Sequence, residues 1–227
     1  MIKMIFLCRR RPDITHARYV ELVLRGHVPL ALRHHPTMRA YVVNPVERAP
    51  DGWPELDSVA ELSFDSLADY RERLYDSPEG ERIIQQDVAG FMGGADAYVT
   101  TEHVQKAPPR GPLGERSPGV KLVCPVRRRE GMTHGEFVEH WFGRHVPLAL
   151  RHHPGLSGYV TNVVDARLAG GEEWDGIAAL YFPSAEVMAR EMFDSPEGER
   201  VIRDDMARFI GRTGAYMVEE WVQKRGG

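Results

Sequence analysis

Only two cysteines occur among the 227 residues, Cys8 and Cys124, and neither stands at a metal-ligand spacing. A disulfide framework and a zinc knuckle are thereby excluded, and the two thiols read as reduced core residues. No apolar run approaches the ~20 residues that span a bilayer, so no membrane partner is expected. The stretch Met1 to Cys8 is too short for a signal-peptide core with a cleavage site, which predicts a cytoplasmic protein. Glycine-rich phosphate loops and dinucleotide fingerprints are missing, so no cofactor is expected. An excess of positive charge is missing too. The net charge of −4 argues against a nucleic-acid partner, because phosphate binding needs a basic face. Arg9-Arg10-Arg11 and Arg127-Arg128-Arg129 are the dense basic runs. Both fall where strands should end, as solvated termini or as anion-steering groups at a pocket mouth.

What the sequence does contain is itself, twice. His27-Val28-Pro29-Leu30-Ala31-Leu32-Arg33-His34-His35-Pro36 recurs 118 residues later as His145 to Pro154, and Asp76-Ser77-Pro78-Glu79-Gly80-Glu81-Arg82 as Asp194 to Arg200. Roughly 45 of about 105 aligned positions match without a gap, too many for chance. Two copies are too few for a solenoid and are the number for a fused dimer. The chain therefore divides into repeat 1 (1–106), a Pro/Gly-rich linker (107–119) and repeat 2 (120–227).

Within each copy, apolar runs at 2–8 and 120–126 read as strands covered on both faces. Thr15 and Thr133 are N-cap candidates, and Thr133 with Glu136 forms a capping box. The helix that follows is predicted to be interrupted at Pro29 and Pro147, since proline lacks the amide donor and clashes one turn back. A short helical piece should restart there and stop before Pro36 and Pro154. Strands are expected near 38–46 and 56–64, a helix over 66–90 broken at Ser77-Pro78, and a last strand at 95–104, each with its counterpart in the second copy. The order βαββαβ is the ferredoxin-like α+β unit. Its sheet carries both helices on one face, and two such bare faces can bury each other.

A basic-ended strand, an amphipathic helix, His-Val-Pro-Leu-Ala, Pro-Xaa-Xaa-Xaa-Tyr, Trp174-Asp175-Gly176 and a Ser-Pro-Glu helix follow one another here. This succession resembles the EthD family within the dimeric α/β-barrel superfamily. The second copy is the closer match, because Leu56-Asp57-Ser58 replaces the Trp-Asp-Gly in the first. The resemblance implies two four-stranded sheets meeting as a pseudo-twofold, intramolecular barrel, with a pocket between each sheet and its helices. It also implies cofactor-free chemistry.

The candidate site residues come in pairs. His27 and His145 precede the helix-breaking proline, and imidazole as a side-chain type suits a proton-transferring base near neutrality. The alternative is a histidine that holds the kink by bonding freed backbone. Tyr41 and Tyr159 are candidate donors to an enolate oxygen, or packing residues. Asn44 and Asn162, three residues further on, should point to the opposite face. Asp57 and Asp175 would orient a histidine, act as a base or cap a turn. Substrate contacts are expected from His34 and His152, from Arg33 and Arg151, and from the apolar Trp141, Phe142 and Phe209. The two adjacent histidines of each copy cannot both face inward, and His27 and His34 lie about 10 Å apart along a helix, too far for one metal, so no metal is expected. Repetition of Asp76-Ser77-Pro78-Glu79 reads as structural, with Ser as N-cap and Pro at the first helical position.

These residues point first to a cofactor-independent lyase or cyclase, one that dehydrates, cyclises or isomerises a small aromatic or polyketide-like metabolite. Deprotonation of a phenol for reaction with dioxygen, as in a cofactor-independent monooxygenase, uses the same groups. A non-catalytic binder of a hydrophobic metabolite or haem is the third reading. A homodimer of the fused pseudo-dimer through an exposed strand edge is left open.

Overall fold

A computed structural model describes residues 1–226. The first copy runs β1 (Ile2–Arg10), α1 (His16–Glu21), α2 (Val28–His34), β2 (Ala40–Arg48), β3 (Ser58–Phe64), α3 (Leu67–Glu72), α4 (Pro78–Ala89) and β4 (Met92–Lys106). The second runs β5 (Val120–Arg128), α5 (His134–His140), α6 (Val146–His152), β6 (Gly158–Ala169), β7 (Gly176–Phe182), α7 (Ala185–Glu191), α8 (Pro196–Phe209), then β8 (Ile210–Thr213), β9 (Tyr216–Val218) and β10 (Trp221–Lys224). Both copies are thus βαββαβ units.

The helix containing Pro29 is not interrupted. A π-helical segment, Leu22–His27, joins α1 to α2, and Trp141–His145 does the same between α5 and α6. The amides of Val28 and Val146 reach back five residues, to the carbonyls of Val23 and Trp141. The wider turn gives the proline ring room that a straight α-helix would deny it. The run ends at His35 and His153, whose ψ of 80° and 77° leaves the helical region, as the proline that follows requires.

The two repeated motifs fit one another. Ser77 and Ser195 cap α4 and α8, accepting from Gly80 and Gly198 amides at 3.0 Å, with proline at the first position. His34 Nδ1 pairs with Asp76 at 3.0 Å over Gly80, where an added Cβ would fall 2.8 Å from that nitrogen. His152 and Asp194 repeat this at 3.0 Å over Gly198. The identical sequences are two sides of one contact.

All strands close into one ring. β4 pairs with β1 through Lys3↔Thr100 and with β6 of the other copy through Glu102↔Asn162. The equivalent run in the second copy divides into β8, β9 and β10, which link β5 to β2. The break falls at Gly214, where the Trp53 indole would stand 2.4 Å from an added Cβ. β8 and β10 each pair with a single strand, β5 and β2 respectively, so short strand edges remain through which the fused pseudo-dimer could pair again. The linker packs along β10, with the Gly114 amide donating to Val222 O at 2.8 Å and the Ser117 amide to Glu220 O at 2.7 Å. No described helix is long and apolar enough to cross a membrane.

Strand alternation sorts the side chains. Met4 and Cys8 of β1 face the helices, whereas Ile5 and Leu7 face the barrel interior with Val123, Ile177 and Val218 from the other copy. The bare sheet faces therefore bury each other. They also enclose charge. Lys121 Nζ lies 2.6 Å from Glu61 and 3.0 Å from Glu220, donates to Asn44 Oδ1 at 2.9 Å, and is 2% exposed. Lys3 pairs with Glu61 at 2.9 Å and also with Glu102. Burial alone would push Glu61 up, but the two ammonium groups outweigh it and hold the carboxyl low; the carboxylates likewise hold Lys121 charged despite its burial.

Candidate active site

Each copy has a cavity between its sheet and helices, of about 260 Å³ in the first and 240 Å³ in the second. His27, His35 and Tyr41 line the first; His145, His153, Tyr159 and Trp141 line the second. The π-helical segments end at His27 and His145, and α4 and α8 supply a carboxylate to each. His27 Nδ1 donates to Asp87 Oδ2 at 2.8 Å, and His145 Nδ1 to Asp205 Oδ2 at 3.0 Å. Neither bonds the freed backbone of the proline turn. A carboxylate only accepts, so in the neutral ring Nδ1 carries the hydrogen and Nε2 is the basic nitrogen.

The second copy holds its carboxylate harder. Asp205 is 2% exposed and also accepts from His140 Nε2 at 3.0 Å and Arg144 Nε at 2.8 Å. Burial pushes this carboxyl up, but hydrogen bonds from His145 and His140 keep it below its ordinary value. Leu22 and Gly26 occupy the equivalent places in the first copy, so Asp87 lacks both extra donors. Phe209 supports the ring system from beneath, 5.1 Å from His145 and 4.6 Å from His140 between ring centres.

The second histidine of each pair also reaches the cavity. His35 Nδ1 donates to Leu74 O at 3.1 Å and His153 Nδ1 donates to Met192 O. Burial lowers both imidazoles, against the lift from those carbonyls, so they stay neutral. Tyr159 accepts from Trp141 Nε1 at 3.1 Å, while the Tyr41 hydroxyl has no hydrogen-bond partner among the described residues. Burial raises both phenols, so each keeps its proton and can donate it. Cys8 and Cys124 sit in the cavity walls with burial pushing their thiols to about 11 and about 12, far from nucleophilic thiolates.

The remaining sequence candidates lie elsewhere. Asp57 orients a histidine, but it is His16 at the start of α1, at 2.8 Å, and it also takes Arg10 Nη1 at 2.8 Å. Asp175 does the same with His134 at 3.0 Å and with Arg128. Both carboxylates tie a strand end to a helix start, outside the cavities. His34 and His152 are engaged by Asp76 and Asp194, and Arg33 and Arg151 are exposed. Asn44 and Asn162 face the barrel interior: Asn44 Nδ2 donates to Val59 O at 2.8 Å, and Asn162 Nδ2 to Ile177 O at 2.9 Å, leaving the buried Asn162 Oδ1 unpartnered. Phe142 packs on His103 at 4.8 Å and does not line the cavity. Asp87 and Asp205 went unread, although they too stand at the repeat offset.

No curated protein matches the chain in sequence. Among solved structures, an anthrone oxidase-like protein is similar at TM-score 0.64 and 12% identity, over 100% of this chain and 94% of that one. A Fusobacterium nucleatum protein assigned as a monooxygenase gives 0.65 and 8%, over 100% and 95%. A chlorite dismutase from Candidatus Nitrospira defluvii gives 0.54 and 12%, over 96% and 90%. At these identities the likeness is one of fold, the α/β barrel built from two ferredoxin-like halves. The EthD domain profile matches residues 11–95 and again 129–213. Matched twice, over more than half its length, the chain belongs to the EthD family.

Proposed function

We propose that the second copy abstracts a proton from a small aromatic or polyketide-like metabolite, with His145 as general base and no group beyond the chain's own side chains. The observation that carries this reading is the clamp of His145 Nδ1 by the buried Asp205 in a ring that lines a cavity. Nε2 then takes the proton, and imidazolium formation is stabilised by the adjacent carboxylate. Tyr159 donates its hydroxyl hydrogen to the developing enolate or phenolate oxygen. The hydrogen bond it accepts from Trp141 polarises that hydroxyl and strengthens the donation. The apolar walls exclude water, so the proton returns to the substrate or its leaving group and not to solvent.

Return of the proton gives isomerisation, cyclisation or dehydration, a lyase or cyclase. A second reading is favoured by two fold neighbours, an anthrone oxidase-like protein and a protein assigned as a monooxygenase. There the carbanion or phenolate is oxidised by dioxygen, which supplies the carbonyl oxygen of a quinone and leaves as water. His27 with Asp87 would do the same chemistry in the first copy. Replacing His145 and His27 together by Ala should abolish turnover while the circular dichroism spectrum and melting curve persist. Oxygen consumption that matches product formation selects the monooxygenase; turnover under argon selects the lyase. Undiminished turnover by the double variant removes the assignment.

A further inference from the structure

The two cavities have the same backbone and different chemistry. In the second, Trp141 fills the space beside Tyr159 and donates to its hydroxyl at 3.1 Å. That indole needs Gly176, since a Cβ there would stand 2.1 Å from its Cζ3. In the first, Val23 and Ser58 occupy these two places, so Tyr41 keeps both lone pairs and its hydrogen uncommitted while being 2% exposed. With no protein partner, that hydroxyl is left to bond a ligand group in the cavity that Tyr41 lines. More hydroxyls follow the same division. Tyr19, whose hydroxyl pairs with Ser58 Oγ at 2.8 Å, is Phe137 in the second copy, and Tyr75 is Phe193. Thr213 in place of Ala95 is the one hydroxyl gained by the second cavity.

From this we infer that the first copy's cavity is a separate binding site for a hydroxylated aromatic, held by a hydrogen bond between a ligand hydroxyl and Tyr41. The inference rests on the reading that these cavities receive small aromatics, and it adds that the two copies receive different ones. Val23 leaves the width that Trp141 removes, so the ring enters beside Tyr41, and the Tyr19–Ser58 pair offers a second hydroxyl partner. In the second cavity the same ligand meets Phe193 and the Trp141 ring where the first offers Tyr75 and the Tyr19–Ser58 pair, and Tyr159 there already accepts from Trp141.

The test is calorimetric titration of the full chain with 1,3-dihydroxynaphthalene. One saturable site is expected, weakened at least about tenfold by Tyr41→Phe and changed less than about twofold by Tyr159→Phe. Val23→Trp with Ser58→Gly, which gives the first cavity the second one's wall, should remove binding. Equal effects of the two Tyr→Phe changes, a larger effect at Tyr159, or no saturable binding overturn the inference. If a variant fails to fold, a soaked crystal of the unsubstituted chain decides: ligand beside Tyr41 supports it, and ligand beside Tyr159 alone overturns it. The readout is binding, so loss of the His145 mechanism in a turnover assay leaves it intact.

Discussion

Asp205, from the last helix of the chain, receives Nδ1 of His145 at 3.0 Å across 60 residues of sequence. It also gathers His140 and Arg144, which makes one carboxylate the anchor of three basic side chains. Two of the three have no counterpart in the first copy.

Asp205→Asn keeps the shape of that anchor but offers Nδ1 a group that can itself donate, so the histidine tautomer is no longer fixed. Turnover in the second cavity should fall by roughly 10²- to 10⁴-fold. Asp87→Asn should leave it within about twofold, because the cavities are built from different copies. Steady-state kcat of both variants in a His27→Ala chain, where only the second cavity turns over, checks this, and an Asp205→Asn protein with undiminished kcat there would count against the clamp as the carrier of catalysis.

The buried cluster around Lys121 should show its value only when broken. Lys121→Met leaves Glu61 and Glu220 facing each other without their shared ammonium, and removal of one partner from a buried ionic group costs about 3–5 kcal/mol. Urea unfolding of the variant measures it. A loss below about 1 kcal/mol would mean that water, not Lys121, compensates the carboxylates.

Gly176→Ala tests the packing that separates the cavities. The new methyl collides with the Trp141 ring, so the indole must shift and its bond to Tyr159 lengthen. Destabilisation of about 1–3 kcal/mol is expected. The equivalent Ser58→Ala in the first copy removes only a hydroxyl bonded to Tyr19 and should not perturb the tryptophan fluorescence. An unchanged emission spectrum for Gly176→Ala refutes the contact.

Burial lowers His35 and His153 below the ordinary imidazole range, which sets the sign of a pH effect. In the unfolded chain both rings take a proton near pH 6.5, whereas in the folded chain they do so only at lower pH. Below about 6.5 the unfolded state binds more protons, so their stabilising contribution is present above that value and is lost as pH falls. Melting temperature should decline from pH 7 to 5.5, and His35→Asn with His153→Asn should flatten that decline. A steeper slope in the double variant would contradict the direction.

The repeat, the βαββαβ order and the serine caps were legible because they are local: a cap needs one side chain and the amide three residues on, and an apolar run declares its strand. The opposite facing of Tyr41 and Asn44 was legible for the same reason, since strand period alone dictates it. Proline chemistry also announced a disturbance at Pro29, but whether the helix breaks or widens by one residue depends on what lies around it, and here the widened turn won. Which carboxylate meets which histidine was not legible. Asp57 was the carboxylate the sequence singled out and Asp87 carried no motif, and only the packing of α4 against the proline-containing helix put Asp87 beside His27 while Asp57 stayed at the end of the sheet. The charged interior of the barrel was equally hidden. Lys3 and Lys121 are ordinary lysines until closure of the ring takes water away from them, and that closure is a property of both halves together.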